Sequence, residues 1–174
     1  QKILVQGKDA ECVLNRIATA NMSVANGTVV YTQFLNQIGG VEADLTITRL
    51  QANEYMVVTA AFTAPHVKAW IDEHMSDDAN CVLTDISGSY AMLNIQGPNS
   101  RSLLTTISSS NFSNEYFPFG TMQPIEIGYQ NALAVRISYT GELGWELYIP
   151  TEMAVSVYDK IIEEGKVHGL KHCG

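Results

Sequence analysis

Alternating stretches of hydrophobic and polar residues in the first half of the chain predict two helices and several short strands. After Asp9, apolar residues recur at three- and four-residue spacing, which predicts an amphipathic helix capped by Asp9. Two β-rich runs follow, joined across Asn36–Gly40 as a hairpin whose two glycines supply positive φ angles. The predicted elements in this half are a strand at 3–5, the helix from Asp9, strands at 29–35, 41–50 and 55–60, and a helix from Thr63.

The second half predicts a similar succession of elements, although no sequence repeat is evident. Its elements are strands at 82–86 and 91–96, a helix at 97–107, a polar loop at 108–114, a hairpin of strands 125–129 and 132–139, a strand at 145–149 and a helix from Thr151 to about Glu164. The strands come in hairpin-rich groups rather than in strict alternation with helices. This order predicts an α+β fold of antiparallel sheets with helices packed on one face.

Composition and charge argue against several classes of binding partner for this chain. The net charge of −8 and the pI of about 4.8, with scattered basic residues, argue against nucleic acid and against an anionic membrane surface. Three well-separated cysteines without a CxxC pair indicate a reducing compartment and no structural zinc, and the four histidines have no metal-ligand spacing. Because residues 1–5 show neither an initiator Met nor a signal peptide, we expect an incomplete fragment of a longer polypeptide.

Asp44 is the first candidate for chemistry. Between 41 and 48 the pattern alternates, with Val41, Ala43, Leu45 and Ile47 on one face and Glu42, Asp44, Thr46 and Thr48 on the other. Two interpretations remain open. The polar face is simply solvated, or Asp44 projects into a cleft beside a reacting amine.

Glu146 is the second candidate. Trp145, Leu147 and Ile149 alternate with Glu146 and Tyr148, which places a carboxylate between large aromatic residues. One interpretation is a binding role, because a carboxylate can accept both adjacent N–H donors of the 2-amino-4-oxo edge of a pterin. The alternative is that Glu146 is a surface glutamate on an edge strand. Neither a phosphate loop nor a G-x-G-x-x-G fingerprint is present, so a Rossmann-type site for FAD or NAD is excluded.

Three motifs carry a resemblance to a known family. They are Gly7-Lys8-Asp9-Ala10, Asn94-Ile95-Gln96-Gly97-Pro98 and the stretch from Thr140 to Tyr148. With them, nearly the whole chain resembles the tetrahydrofolate-dependent aminomethyltransferase (glycine cleavage T-protein) superfamily. Ala43 in the hairpin and Leu143 in Gly141–Glu146 make it most similar to the C-terminal folate domain of sarcosine and dimethylglycine dehydrogenases.

The resemblance implies a fold, a cofactor and four site residues. Residues 1–174 would form one folate-binding aminomethyltransferase-like domain with the T-protein fold and its ferredoxin-like elements. Tyr31 and Tyr139 would pack around tetrahydrofolate, Glu146 would bind the pterin edge, and Asp44 would be the catalytic residue beside the N5/N10 region. The resemblance places FAD only in a separate upstream domain and assigns a further arginine to a segment beyond Gly174, while the histidine and cysteine spacing predicts no metal.

The implied reaction is transfer of a methylene unit from an oxidised N-methyl amine to tetrahydrofolate, which gives 5,10-methylene-tetrahydrofolate. The partners would be folate, the amine-derived one-carbon unit and an upstream flavin domain, in the bacterial cytoplasm or the mitochondrial matrix. Two alternatives remain. One is a free-standing aminomethyltransferase that works on a lipoyl-carrier protein, and the other is a non-catalytic relative resembling the regulatory subunit of pyruvate dehydrogenase phosphatase.

Overall fold

Two antiparallel sheets, each with two helices packed against one face, make up the chain. The computed structural model describes residues 1–173, which divide into one unit at Gln1–Ser87 and a second unit from Gly88 onward. In each unit one face of the sheet and both helices share a single hydrophobic core. The predicted α+β class is therefore confirmed.

The first unit contains a five-stranded sheet in the order β2-β3-β4-β1-β5. Its elements are β1 (Lys2–Gln6), α1 (Ala10–Ile17), β2 (Val29–Leu35), β3 (Val41–Gln51), β4 (Glu54–Val58), α2 (Ala64–His74) and β5 (Val82–Asp85). The core lies between the sheet and the two helices. Val13, Leu14 and Ile17 of α1 and Val67 and Ile71 of α2 supply its helical side, which is the apolar stripe that the sequence predicts.

The second unit contains a four-stranded sheet in the order β6-β9-β8-β7. Its elements are β6 (Tyr90–Gln96), α3 (Ser100–Ile107), β7 (Thr121–Ile127), β8 (Gln130–Arg136), β9 (Gly144–Pro150) and α4 (Ala154–Gly165). Trp145, Leu147 and Ile149 of β9 are fully buried in its core. β9 hydrogen-bonds to β6 on one side and to β8 on the other, so it is an interior strand.

The two units repeat one topology that the sequence does not reveal. Each runs β-α-β-β-β-α, and in each the first strand pairs with the fourth, the fourth with the third and the third with the second. The first strand of each unit ends at a glutamine, Gln6 or Gln96, and is followed by a glycine, Gly7 or Gly97, whose positive φ angle is 138° or 122°. Only glycine adopts such angles readily, so this turn is a sequence trace of the repeat.

Several predicted details of the local structure are wrong. Asp9 makes no side-chain cap on α1, because its Oδ2 instead accepts a hydrogen bond from the Asn80 N–H at 2.8 Å. Thr151 begins a 3₁₀ turn before α4, and its hydroxyl donates to the Gly88 carbonyl at 2.7 Å. In the hairpin only Gly39, at 82°, has positive φ, because the turn needs one left-handed residue rather than two. Within the described residues, no helix is long and apolar enough to cross a membrane.

Candidate functional site

The β2–β3 hairpin brings Tyr31 and Asp44 together. The Tyr31 hydroxyl donates to Asp44 Oδ2 at 2.9 Å, and the Gln33 side-chain amide donates to Oδ1 at 3.2 Å. Gln33 lies directly opposite Asp44 in the strand register, and Tyr31 lies two residues earlier on the same face. Both carboxylate oxygens therefore have a donor that fixes their orientation, while the carboxylate itself stays exposed.

A β-bulge separates Glu42 from Asp44, although the alternation places them on one face. Phe34 pairs with Ala43 and Leu35 pairs with Val41, which leaves Glu42 as the extra residue. Its carboxylate accepts a hydrogen bond from the Asn36 side-chain amide at 2.8 Å and lies 2.9 Å from Nε2 of His66 on α2.

The alternation predicted for residues 41–48 is wrong at both ends of that stretch. Val41 is 64% exposed although the alternation assigns it to the core, because the bulge breaks the two-residue period beside it. Thr48 is 1% exposed although the alternation assigns it to the solvated face. Between them the pattern holds, with Ala43, Leu45 and Ile47 buried and Asp44 exposed.

A cleft of about 380 Å³ lies between the hairpin tip and α2. Asn36, Ile38 and Glu42 line one side, and Trp70 and His74 line the other. The Trp70 and His74 rings lie 4.4 Å apart between centroids, and Nδ1 of His74 bonds the Trp70 carbonyl at 2.8 Å. The cleft therefore adjoins Glu42, whereas Asp44 is not among its lining residues.

In the second unit, Glu146 is paired with a buried tyrosine. The Tyr148 hydroxyl donates to Glu146 Oε2 at 2.7 Å, and Tyr148 is only 1% exposed. Burial, with the adjacent Glu146 charge and this hydrogen bond, raises the pKa of Tyr148 far above its usual range. Tyr148 is therefore a neutral, permanent donor to the carboxylate.

The sheet topology corrects one expectation about this strand. Glu146 lies on an interior strand, opposite Asn94 of β6 and Val135 of β8, so the edge-strand alternative is wrong. Tyr148 is buried although it lies on the face opposite the Trp145 core. Glu146 itself is half-buried. A half-buried carboxylate with a fixed donor is a stronger candidate for a binding role than a freely solvated one.

Tyr139 lies apart from this pair in a loop that follows β8. The sequence predicts strand structure up to Tyr139, but β8 ends at Arg136, and Tyr139 is 101% exposed. The end of the loop is fixed, because the Gly97 N–H and the Ser100 hydroxyl donate to the Leu143 carbonyl at 2.8 and 3.0 Å. Tyr148, rather than Tyr139, is thus the tyrosine bonded to Glu146.

The residues that sequence reasoning missed are Gln33 and the role of Tyr148. Each lies two residues from a predicted site residue on the same strand, Gln33 from Tyr31 and Tyr148 from Glu146. The two-residue period of a strand places such neighbours on one face, so period and polarity together could have indicated them.

Comparison with known proteins bears out the resemblance. The family model of the GCVT N-terminal domain matches residues 1–174. The chain is 40% identical to 4-methylaminobutanoate oxidase (formaldehyde-forming) of Paenarthrobacter nicotinovorans and 34% identical to mitochondrial sarcosine dehydrogenase of Mus musculus. Each match covers 99% of this chain but only 21% and 20% of the relative.

A solved structure shares the fold. The glycine cleavage system aminomethyltransferase T from Bartonella henselae superposes with a TM-score of 0.79 at 25% identity, over 92% of this chain and 42% of that one. The family match spans every residue of the sequence, including both candidate carboxylates. The chain belongs to the family of the GCVT N-terminal domain.

Proposed function

We propose that this chain is the tetrahydrofolate-binding domain of an enzyme that demethylates an N-methyl amine and forms 5,10-methylene-tetrahydrofolate. Two similar proteins are named for the oxidation of methylated amines, sarcosine dehydrogenase and 4-methylaminobutanoate oxidase. The chain spans about a fifth of each of them. A flavin domain that oxidises the amine would lie elsewhere in such a polypeptide, in a mitochondrial matrix or a bacterial cytoplasm.

The observation that carries the proposal is the Glu146–Tyr148 pair. A carboxylate offers about four lone-pair positions, and Tyr148 uses one of them on Oε2. The remaining positions can accept the two adjacent N–H groups of a pterin edge in the bidentate way that a carboxylate accepts a guanidinium. Since Glu146 is half-buried and lies on an interior strand, its orientation is set before a ligand arrives. The residues present therefore fit a pterin.

Asp44 is the proposed catalytic residue. Tyr31 and Gln33 hold its two oxygens, and its exposed carboxylate carries a negative charge that would stabilise positive charge on a reacting amine nitrogen. Tetrahydrofolate, when bound, supplies the nitrogen nucleophiles that take up the one-carbon unit. Asp44 would orient and stabilise the amine, and the gain in rate would come largely from proximity. The rings of Tyr31 and Tyr139 are both exposed, so each is accessible to a ligand.

A second candidate function is aminomethyl transfer from a lipoyl-carrier protein. The likeness to aminomethyltransferase T favours it. The two candidates share the folate site and differ in the donor of the carbon. Ala43 and Leu143 favour the demethylating enzyme, because the transferase motifs have acidic residues at those two positions.

Calorimetric titration of tetrahydrofolate into the protein tests the binding role of Glu146. We expect Glu146→Gln to weaken binding about tenfold, equivalent to 1.4 kcal/mol. Glu126→Gln is the matched control, because Glu126 is an exposed carboxylate on β7 of the same unit and should leave the affinity unchanged. Failure of the wild type to bind tetrahydrofolate would contradict both enzymatic functions and leave the regulatory relative as the best alternative.

Asp44→Ala tests the catalytic role separately. We expect this substitution to lower the rate of one-carbon transfer far more than the affinity for tetrahydrofolate. The rate is measured as methylene-tetrahydrofolate formed per enzyme at saturating folate. Equal losses of rate and affinity would reduce Asp44 to a binding residue.

A further inference from the structure

Three side chains in the first unit have counterparts in the second unit. Tyr55 pairs with Val5 in the strand register, and Trp145 pairs with Ile95, in both cases one residue before the Gln-Gly turn. Tyr55 and Trp145 therefore occupy equivalent positions in the two sheets.

The partners of these aromatic rings are equivalent as well. Arg49 lies opposite Tyr55 in β3, and continuing the β8–β9 register beyond its pair at Val135 places Arg136 opposite Trp145. Glu11 is the second residue of α1, and Arg101 is the second residue of the equally long α3. The trio of Glu11, Arg49 and Tyr55 thus corresponds to Arg101, Arg136 and Trp145.

In the first unit the charged and polar groups of these three side chains all have partners. Oε2 of Glu11 lies 2.8 Å from Nη1 of Arg49 and 3.2 Å from the Tyr55 hydroxyl, which also lies 3.1 Å from the Met22 carbonyl. The Arg49 guanidinium carbon lies 5.4 Å from the centre of the Tyr55 ring. One carboxylate therefore neutralises the arginine and accepts from the aromatic hydroxyl.

In the second unit an arginine replaces that carboxylate. The guanidinium carbons of Arg101 and Arg136 lie 5.7 and 5.6 Å from the centre of the Trp145 ring. Within residues 1–173, neither guanidinium has a carboxylate within 4.0 Å. Burial, and secondarily the charge of Arg101, lowers the pKa of Arg136, as expected of a cation that lacks a counter-charge.

Several buried polar groups of the second unit have no hydrogen-bond partner among the described residues. The indole N–H of Trp145 is buried and has no acceptor in the described part of the chain, and the same holds for the hydroxyls of Ser113 and Ser138. Ser113 directly follows Phe112, whose carbonyl accepts from Arg101 Nε at 2.9 Å, and Ser138 follows β8 closely. Native proteins rarely leave such donors unpaired without an ion or water to accept from them.

We propose that Arg101, Arg136 and the indole N–H of Trp145 bind the carboxylate of a small molecule, which would supply the negative charge that Glu11 supplies in the first unit. The carboxylate class follows from the counterpart, because a carboxylate satisfies the equivalent arginine and aromatic donor there. Arg101 is only half-buried and donates to the exposed Asn114 side chain at 2.6 Å, so a ligand from solvent can reach it. Two guanidinium groups also match the bidentate preference of arginine for carboxylates.

This site is independent of the proposed folate function. Trp145 and Glu146 are neighbours in a strand, so their side chains leave opposite faces of the sheet. An anion beside Trp145 therefore contacts the helix-covered face rather than the Glu146 carboxylate. Failure of either proposal leaves the other standing.

The test uses the two tryptophans as probe and internal control. In ¹H–¹⁵N spectra of the protein, the indole signals of Trp145 and Trp70 are distinguished with a Trp70→Phe variant. Sodium acetate, sodium phosphate and sodium chloride are titrated at constant ionic strength. We expect acetate to shift the Trp145 indole signal saturably, with no saturable shift for Trp70. The buried indole N–H of Trp70 also lacks a partner, but no arginine of the described residues lies over its ring.

Two substitutions at one position sharpen the test. Arg101→Gln should weaken acetate binding at least tenfold, because one guanidinium is lost. Arg101→Glu should abolish the acetate response, because the new carboxylate can pair with Arg136 as Glu11 pairs with Arg49. Lys8→Glu is the matched control, since it makes the same charge change at an exposed position of the first unit and should leave the response intact.

Three results would overturn the proposal. Equal responses to acetate and chloride would indicate general screening, and tighter binding of phosphate than of acetate would refute the carboxylate class. Unchanged acetate affinity in Arg101→Gln would mean that the arginines only stack on the ring. Dispersed spectra of each variant establish that it is folded, and Arg101→Gln alone decides the outcome if Arg101→Glu does not fold.

Discussion

Replacing Tyr148 by phenylalanine removes a single hydroxyl from the second unit and keeps the buried ring. That hydroxyl donates to Glu146 Oε2 at 2.7 Å, a short distance typical of a hydrogen bond to a charged acceptor. Phenylalanine fills the same volume, so no cavity forms. The substitution therefore isolates the contribution of one hydrogen bond to stability and to the orientation of Glu146.

The expected loss of stability follows from the charge of Glu146 and from its partial burial. Losing a hydrogen bond to a charged group costs about 1.5–3 kcal/mol. Because Glu146 is half-buried, water can partly replace the lost donor, so we expect the low end, about 1.5 kcal/mol of the free energy of unfolding. For a unit the size of the second one, that corresponds to a Tm lower by roughly 6–12 °C. Tetrahydrofolate affinity should fall as well, by up to about tenfold, because the carboxylate loses the donor that orients it.

Urea unfolding followed by tryptophan fluorescence measures the change in stability. The chain has two tryptophans, Trp70 in the first unit and Trp145 in the second. In a Trp70→Phe background, the fluorescence therefore reports the unfolding of the unit that contains Tyr148. Following one unit at a time avoids treating two compact units as a single two-state transition. The matched control is Tyr55→Phe, which removes a fully buried hydroxyl bonded to a carboxylate in the first unit.

The two tyrosine variants separate binding from stability. Both should destabilise their own unit, but only Tyr148→Phe should weaken tetrahydrofolate binding. A loss of stability below about 0.5 kcal/mol in Tyr148→Phe, the range of ordinary surface substitutions, would refute the strength assigned to the hydrogen bond. Equal losses of folate affinity in both variants would refute the link between Tyr148 and a folate site at Glu146.

Two further predictions concern pH and the glycine turns. Burial raises the pKa of Tyr55 to about 12, so between pH 10 and 12 the folded chain keeps a proton that the unfolded chain releases. With rising pH, the free energy of unfolding should therefore fall more steeply in the wild type than in Tyr55→Phe, by about 1.4 kcal/mol per pH unit. Urea titrations across that pH range measure the difference. Gly97→Ala should cost roughly 1–3 kcal/mol for its positive φ alone. Gly7→Ala should cost more in the same assay, because its Cβ would also overlap the Asn80 carbonyl, and equal costs would contradict that steric argument.

The α+β class and most elements could be predicted from sequence because they depend on local periodicity. The α1 face and the buried Leu45–Ile47 side of β3 follow from spacing alone, and both are present in the core. The pairing of Tyr31 with Asp44 follows from the same period, once the hairpin is recognised.

The details that failed depend on contacts distant in sequence. The bulge at Glu42 arises from the register against β2, and Asp9 is drawn from its capping role by Asn80. The burial of Tyr148 depends on its place on an interior strand, which no local pattern encodes. Periodicity assigns a residue to a face, but only the assembled sheet decides whether that face is covered.

The two candidate carboxylates lie in sheets of the same topology, but neither has an acidic counterpart in the other unit. Asn131 precedes Arg136 in β8 by the same number of residues as Asp44 precedes Arg49 in β3, so Asn131 is the counterpart of Asp44. The counterpart of Glu146 in β4 is the buried Met56. Each unit therefore holds one candidate carboxylate where the other unit has a neutral residue. The strand pairing is the same in both units, but the polar side chains differ at these equivalent positions, so the two halves are dissimilar in sequence at the proposed site residues. The proposed ligand sites therefore lie where the two units differ rather than where they agree.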